Sequence, residues 1–228
     1  MARQTFERAL RELEDELLVL GSIVESALVE SVAALKRRDL ETSKRIFAGD
    51  RVVNERRFAI EEKTLTLIAT QQPLAGDLRL LAAVLEIVAE LERIGDYAKA
   101  ICKIHIMMGD QPLIKPLIDI PIMAEKAREM LHRALDAFVR RDVELAREVA
   151  KSDDEVDALY NQVYHDLMML MAQSGANLDQ VNYLLWVAHN LERAGDRVTN
   201  ICERVVFTVT GKMMELDTHF SVTGVPEA

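Results

Sequence analysis

Apolar positions recur at intervals of three and four along most of the chain. Leu81, Val84, Val88, Leu91, Gly95, Ala98 and Cys102 trace one helical stripe, and Leu184, Ala188, Leu191, Gly195, Val198 and Cys202 trace another. No run alternates cleanly enough to read as a strand. Stripes of this kind are what a helix buries in a core, so they establish architecture and nothing more. Prolines stand at 73, 112, 116, 121 and 226, leaving 1–72, 74–111 and 122–225 free of the strongest helix breaker. Asp39 and Asp142 each follow two arginines, as at a helix end and a fresh N-cap. Gln72-Pro73-Leu74 and Ser174-Gly175-Ala176-Asn177 mark further breaks. The pattern predicts helices over 5–38, 40–72, 74–108, 122–141, 143–173 and 178–210. A thirty-residue helix is ~45 Å long, and helices that long with short connections pack as up-down-up bundles.

The chain also repeats itself. Glu92-Arg93-Ile94-Gly95-Asp96 recurs one hundred residues on as Glu192-Arg193-Ala194-Gly195-Asp196, followed in both places by Ile-Cys at 101–102 and 201–202. Upstream, Arg37-Arg38-Asp39 matches Arg140-Arg141-Asp142, and Leu67-Ile68-Ala69 matches Leu170-Met171-Ala172, both offset by 103. A duplicated unit of that length is a domain and not a solenoid module. The expected organisation is all-α: two tandem three-helix bundles spanning 1–110 and 121–212, with a tail at 213–228. Three of the five prolines fall in the stretch from Gly109 to Pro121 at the middle of the chain.

Composition narrows the function. Half of the 228 residues are hydrophobic and 29% charged, which excludes wholesale disorder. The net charge of −10 and pI near 5.1 disfavour nucleic acid and suit cations or basic partners. Met1–Glu16 is dense in Arg and Glu, unlike a secretory leader, and the apolar run Leu80–Ala89 is too short to span a bilayer. Two cysteines make no disulfide framework, so the expected location is the cytoplasm.

Candidate chemistry lies in paired acids. Residues four apart share a helix face at ~5–6 Å between Cβ atoms, which couples Glu92 with Asp96 and Glu192 with Asp196. On the preceding helix of the second unit Asp153 and Asp157 form a similar pair; the first unit has Asp50 and Asn54 there. Where two such helices lie side by side, four oxygen-bearing side chains converge as in carboxylate-bridged metal sites of bundles. A solvated salt-bridge cluster with Arg93 and Arg193 is the plainer reading. The recurrence of Gly95 and Gly195 favours the site, because a mid-helix glycine costs about 1 kcal/mol relative to Ala. Asn54 brings no charge, so the first site should be the weaker. His189 stands within a turn of Glu192 and Asp196 and is a candidate nitrogen ligand, or a partly exposed histidine with no such role. His105, His132, His165 and His219 show no ligand spacing, and Cys102 and Cys202 read as small buried hydrophobes.

These residues resemble a known family. Leu91-Glu92-Arg93-Ile94-Gly95-Asp96, Asn190-Leu191-Glu192-Arg193-Ala194-Gly195-Asp196 with Thr199-Asn200-Ile201, and Asp153-Asp154-Glu155-Val156-Asp157 are similar to the signatures of the PhoU family. The resemblance runs from about residue 5 to 212. It implies a non-enzymatic negative regulator of the phosphate-starvation response and of phosphate uptake. Its implied partners are the ATPase subunit of the phosphate ABC transporter and a phosphate-sensing histidine kinase, and a homodimer is expected. It further implies divalent or trivalent metal ions, iron or zinc first, held by Asp153, Asp157, Glu192 and Asp196 in one bundle and Asp50, Glu92 and Asp96 in the other. The family pattern is broken at Asn54, which weakens the case for the first site. The competing expectations are a carboxylate-bridged metal store or oxidase, disfavoured because such bundles carry Glu-x-x-His on each of two helices and the spacing occurs here once, at Glu129–His132, and a plain helical scaffold, which leaves the doubled glycine motif unexplained.

Overall fold

The computed structural model describes residues 2–174 and 177–216. The tail expected at 213–228 therefore lies largely outside the described residues, as do His219 and Gly175. Among them the chain forms α1 (Ala2–Arg37), α2 (Leu40–Gln71), α3 (Ala75–Met108), α4 (Asp119–Arg140), α5 (Val143–Lys151), α6 (Asp153–Ser174) and α7 (Leu178–Thr210).

The matched Arg-Arg-Asp turns work alike in both halves. Arg38 and Arg141 each take φ of 59°, a left-handed cap that non-glycine residues seldom adopt. Behind them Asp39 N–H donates to Ala34 O at 2.8 Å and Asp142 N–H to Ala137 O at 2.9 Å, closing the preceding helices. Asp39 then accepts from Thr42 N–H and Asp142 from Leu145 N–H, each at 3.0 Å, capping the next ones. One aspartate-capped turn of the same design thus folds each half back on itself. Pro121 lies in the first turn of α4, where its missing N–H has no intrahelical partner to lose.

One expectation is corrected. The helix read as continuous over 143–173 is broken at Ser152 into α5 and α6, whereas its counterpart α2 runs unbroken. At the break the Ser152 hydroxyl donates to Val149 O at 2.6 Å, and Glu155 N–H reaches Ser152 O in a tighter turn. A serine that bonds its own backbone competes with the helical ladder, and the acidic run Asp153-Asp154-Glu155 suits a helix N-terminus, where the macrodipole favours negative charge.

The first half packs α1, α2 and α3 together; the second packs α4, α5, α6 and α7. The halves join through like elements, α3 against α7 and α1 against α4, with α3–α7 the most extensive helix pair in the chain. The motif-bearing helices therefore meet at the centre, where Arg197 Nε donates to the Tyr97 hydroxyl at 3.3 Å. These two residues occupy equivalent positions of the repeat. Gly21 brings α1 so close to α4 that a Cβ there would overlap Leu135 Cδ1. One continuous apolar core runs through both halves. Among the described residues α1 alone is long and apolar enough, by length and composition, to cross a membrane. That is a longer stretch than Leu80–Ala89, and its apolar side, Leu17, Leu20, Val24 and Leu28, is fully buried against the other helices.

Candidate metal-binding carboxylate faces

Each half presents an acid-bearing face where its second helix packs on its third. In the first half the face lies between α2 and α3. Gly95 lets the helices approach, since a Cβ there would stand 3.3 Å from Val53 Cγ1. Asp50, 8% exposed, points into this contact. Its Oδ2 accepts from Lys99 Nζ at 2.6 Å and from Asn54 Nδ2 at 3.0 Å, while its Oδ1 is buried without a hydrogen bond. The same ammonium lies 3.6 Å from Asp96 Oδ1. A turn away, Arg57 Nη1 donates to Glu92 Oε1 at 3.0 Å, and its Nε holds Glu61 at 2.8 Å. The hydrogen bond to Asp50 is the largest influence raising the Lys99 pKa, so this ammonium stays charged.

The second face, between α6 and α7, is built on the same plan with different answers. Asp153 is 3% exposed and its carboxylate sits over Gly195, where a Cβ would overlap Oδ1. Glu192 is pushed up to about 7, first by burial, then by the negative charges of Asp196 and Asp157. Glu192 Oε2 is enclosed and accepts no hydrogen bond, although His189 Nδ1 lies 3.2 Å away. Arg193 Nη1 holds Asp196 Oδ2 at 3.0 Å. Tyr160 and Thr199 occupy the positions filled by Arg57 and Lys99 in the first half. The Thr199 hydroxyl is buried and makes no hydrogen bond. Tyr160 stacks obliquely near His189, ring centroids 6.1 Å apart.

The structure thus brings Asp50 and Asp96 together through Lys99, sends Glu92 to Arg57, and sets Glu192 in the field of Asp157 and Asp196. Among the described residues no three His, Cys, Asp or Glu side chains are gathered into a group that could hold an ion as they stand. By chemistry the second face fits a cation better than the first: its donors are oxygens, its central carboxyl is raised by burial and then by neighbouring anions, and Glu192 Oε2 and the Thr199 hydroxyl make no hydrogen bond. In the first, protein cations already hold the acids.

Lys99 and Arg57 are residues of the first face that the motif reading passed over. A position-by-position comparison of the repeats shows them, because Lys99 becomes Thr199 and Arg57 becomes Tyr160. Another polar cluster is confined to the first half. Ser43 Oγ and His105 Nδ1 lie 2.7 Å apart beside Cys102, all three buried; their counterparts are Ala146, Val205 and Cys202. Sealed in the core, the Ser43–His105 pair has no access to substrate. Burial pushes the Cys102 thiol up to about 11 and the Cys202 thiol up to about 12, which fits their reading as hydrophobes.

Fold and faces define a duplicated three-helix-bundle protein with a paired-carboxylate helix at the centre of each half. The chain belongs to the PhoU family, whose PhoU domain matches twice, over residues 17–104 and 120–205. It is 36% identical over 218 residues to the phosphate-specific transport system accessory protein PhoU homolog of Clostridium acetobutylicum, covering 95% of this chain and 100% of that one. It is 34% identical over 207 residues to the phosphate-specific transport system accessory protein PhoU of Escherichia coli K12, covering 91% and 86%. The crystal structure of the phosphate transport system regulatory protein PhoU from Streptococcus pneumoniae superposes with a TM-score of 0.85 at 28% identity, over 92% of this chain and 99% of that one. PhoU from Pseudomonas aeruginosa superposes equally well, with a TM-score of 0.85 at 30% identity, over 91% and 100%.

Proposed function

We propose that this chain is a regulatory accessory protein of phosphate transport that works without catalytic turnover. In this reading it acts from the cytoplasm, as a homodimer, between the ATPase of a phosphate ABC transporter and a phosphate-sensing histidine kinase. It restrains the phosphate-starvation response while phosphate is plentiful. The observation that carries this is the full-length match, through both repeats, to proteins named as accessory to phosphate-specific transport. The acid faces supply a second element. A divalent or trivalent ion, iron or zinc, would be held in the second half by Asp153, Asp157, Glu192 and Asp196, with His189 the candidate nitrogen donor beside them. Bound there, it would answer the burial and the neighbouring negative charges that raise Glu192 and would brace α6 against α7. Asp50, Glu92 and Asp96 form the counterpart set in the first half. Deleting the gene and measuring starvation-induced phosphatase in phosphate-rich medium tests the regulatory reading. Derepression is expected; unchanged expression would overturn it.

A further inference from the structure

We propose that the cleft between α1 and α2 of the first half is a docking pocket for another protein. It takes one lysine or arginine side chain of the partner, with the aliphatic stem on Ile23, Ala27 and Ile46 and the charged head at Glu30. This inference rests on the regulatory reading given above, which calls for partners, and goes beyond it by naming a surface and the side chain that fits it.

The cleft has a volume of about 320 Å³. Its walls are the half-buried side chains of Ile23, Ala27 and Ile46, and at its mouth Glu30 of α1 and Gly49 of α2 are exposed. Gly49 lies inside α2, where glycine costs about 1 kcal/mol relative to Ala. Yet nothing in the chain comes within 4 Å of the place its Cβ would take. No group of the fold itself needs that room. At the floor the Lys99 ammonium is answered by Asp50 Oδ2 at 2.6 Å and by Asp96 Oδ1 at 3.6 Å, so it does not repel a second cation above it. Glu30 makes no ion pair among the described residues and is the unanswered charge of the lining. Glu92 and Asp96 do not line the cleft, which opens on the α1 side of Asp50.

The second half supplies the template for the occupant. At the repeat offset of 103, Ile23 and Glu30 become Lys126 and Arg133. Lys126 crosses from α4 to Glu155 of α6, and Arg133 crosses to Glu148 of α5 at 3.1 Å. Val52 and Arg45 stand where Glu155 and Glu148 do, so neither crossing forms in the first half. Ala27 and Gly49 give way to the larger Met130 and Ser152, and the space left there is about 220 Å³ between charged side chains. Basic side chains suit such a cleft because their methylene stems cover apolar surface while the head stays in water. In the second half the chain provides them itself. In the first half the same place is open, apolar-walled and edged by an acid. A partner's basic side chain seated there is an anchor of the kind that carries interface energy, arginine above all. Glu30, being exposed, governs register and association rate more than affinity.

The test uses the full-length chain, isotope-labelled and in buffer with chelator. It is titrated with n-butylguanidinium, n-butanol and butyrate while the amide NMR signals of Gly49 and Ser26 are followed. Saturable shifts are expected with butylguanidinium alone. Glu30→Gln should weaken them about two- to fivefold, as for an exposed ion pair. Gly49→Leu and Ala27→Met, which fill the cleft from opposite walls, should abolish them. Circular dichroism verifies folding, and Gly49→Leu should melt no lower than wild type because helix propensity favours it. Equal shifts with butanol, or shifts that survive both fillings, would overturn the proposal. In cells both filling variants, at wild-type abundance, are expected to derepress starvation-induced phosphatase in phosphate-rich medium. If gene deletion derepresses and both variants repress fully, the docking role is wrong and the regulatory reading stands. A deletion strain that stays repressed would sink that reading and this one with it. Loss of self-association by Gly49→Leu in sedimentation would make the occupant a second copy of this chain and overturn the assignment to another protein.

Discussion

Gly195 forms the notch that receives the Asp153 carboxylate: a Cβ at 195 would overlap Asp153 Oδ1. In the first half Gly95 does a milder version of this, receiving Val53 so closely that a Cβ at 95 would stand in tight contact, 3.3 Å from Val53 Cγ1. One glycine therefore admits a buried acid and the other a methyl group. Asp153 is the first residue of α6, just beyond the break at Ser152.

The two glycines should respond differently to a single methyl. At Gly95, Ala gains about 1 kcal/mol of helix propensity and asks Val53 to give by a few tenths of an ångström, so Gly95→Ala is expected to be near neutral in urea unfolding. At Gly195 the short Asp153 side chain must leave its place, and overpacking of this kind costs about 1–3 kcal/mol. Gly195→Ala should lower the urea midpoint clearly, and equal midpoints for the two variants would contradict the notch.

The matched turns predict a cap effect. Asp142 accepts from Leu145 N–H at 3.0 Å, and replacing an aspartate N-cap by alanine costs about 1 kcal/mol. Asp142→Ala is expected to shift the denaturation midpoint by that amount with an unchanged slope, since the folded surface is the same. Asn177, which caps α7 through Asp179 N–H at 2.9 Å, should behave alike.

His105 sets a pH dependence. Burial depresses its pKa below the ordinary 6.5, against a smaller opposing pull from Asp39 and a further lowering from Arg38. A histidine depressed in the folded chain binds fewer protons there than in the unfolded chain, so its contribution is intact above pH ~6.5 and is lost as pH falls below it. Ring-proton NMR should place the His105 midpoint below 6.5. A midpoint at or above that value would rule out the sealed environment around Ser43.

Thiol chemistry offers a further check. Thiolate is the reactive form, and burial holds Cys102 up near about 11 and Cys202 near about 12. At pH 8 the folded protein should leave a thiol-disulfide reagent unreacted over minutes, and the chain in denaturant should release two equivalents, one for each cysteine. Rapid labelling of either in the folded state would contradict their place in the core.

How much of this was legible in the chain differs from feature to feature. The helices, the Arg-Arg-Asp turns, the repeat and the acid pairs could be read in advance because each depends on neighbours within a few residues. A three-to-four spacing, an N-cap or a proline acts through local backbone geometry. The sequence by itself determined that two like bundles would form and where the acid pairs would fall along their helices. Tertiary structure decided the rest. It packed α3 on α7 and α1 on α4, and turned Asp50 toward Lys99 and Glu92 toward Arg57. Those choices depend on the register between helices distant in the chain and on the rotamers that buried charges adopt to find partners. Both are set by close packing and desolvation, and no periodicity records them.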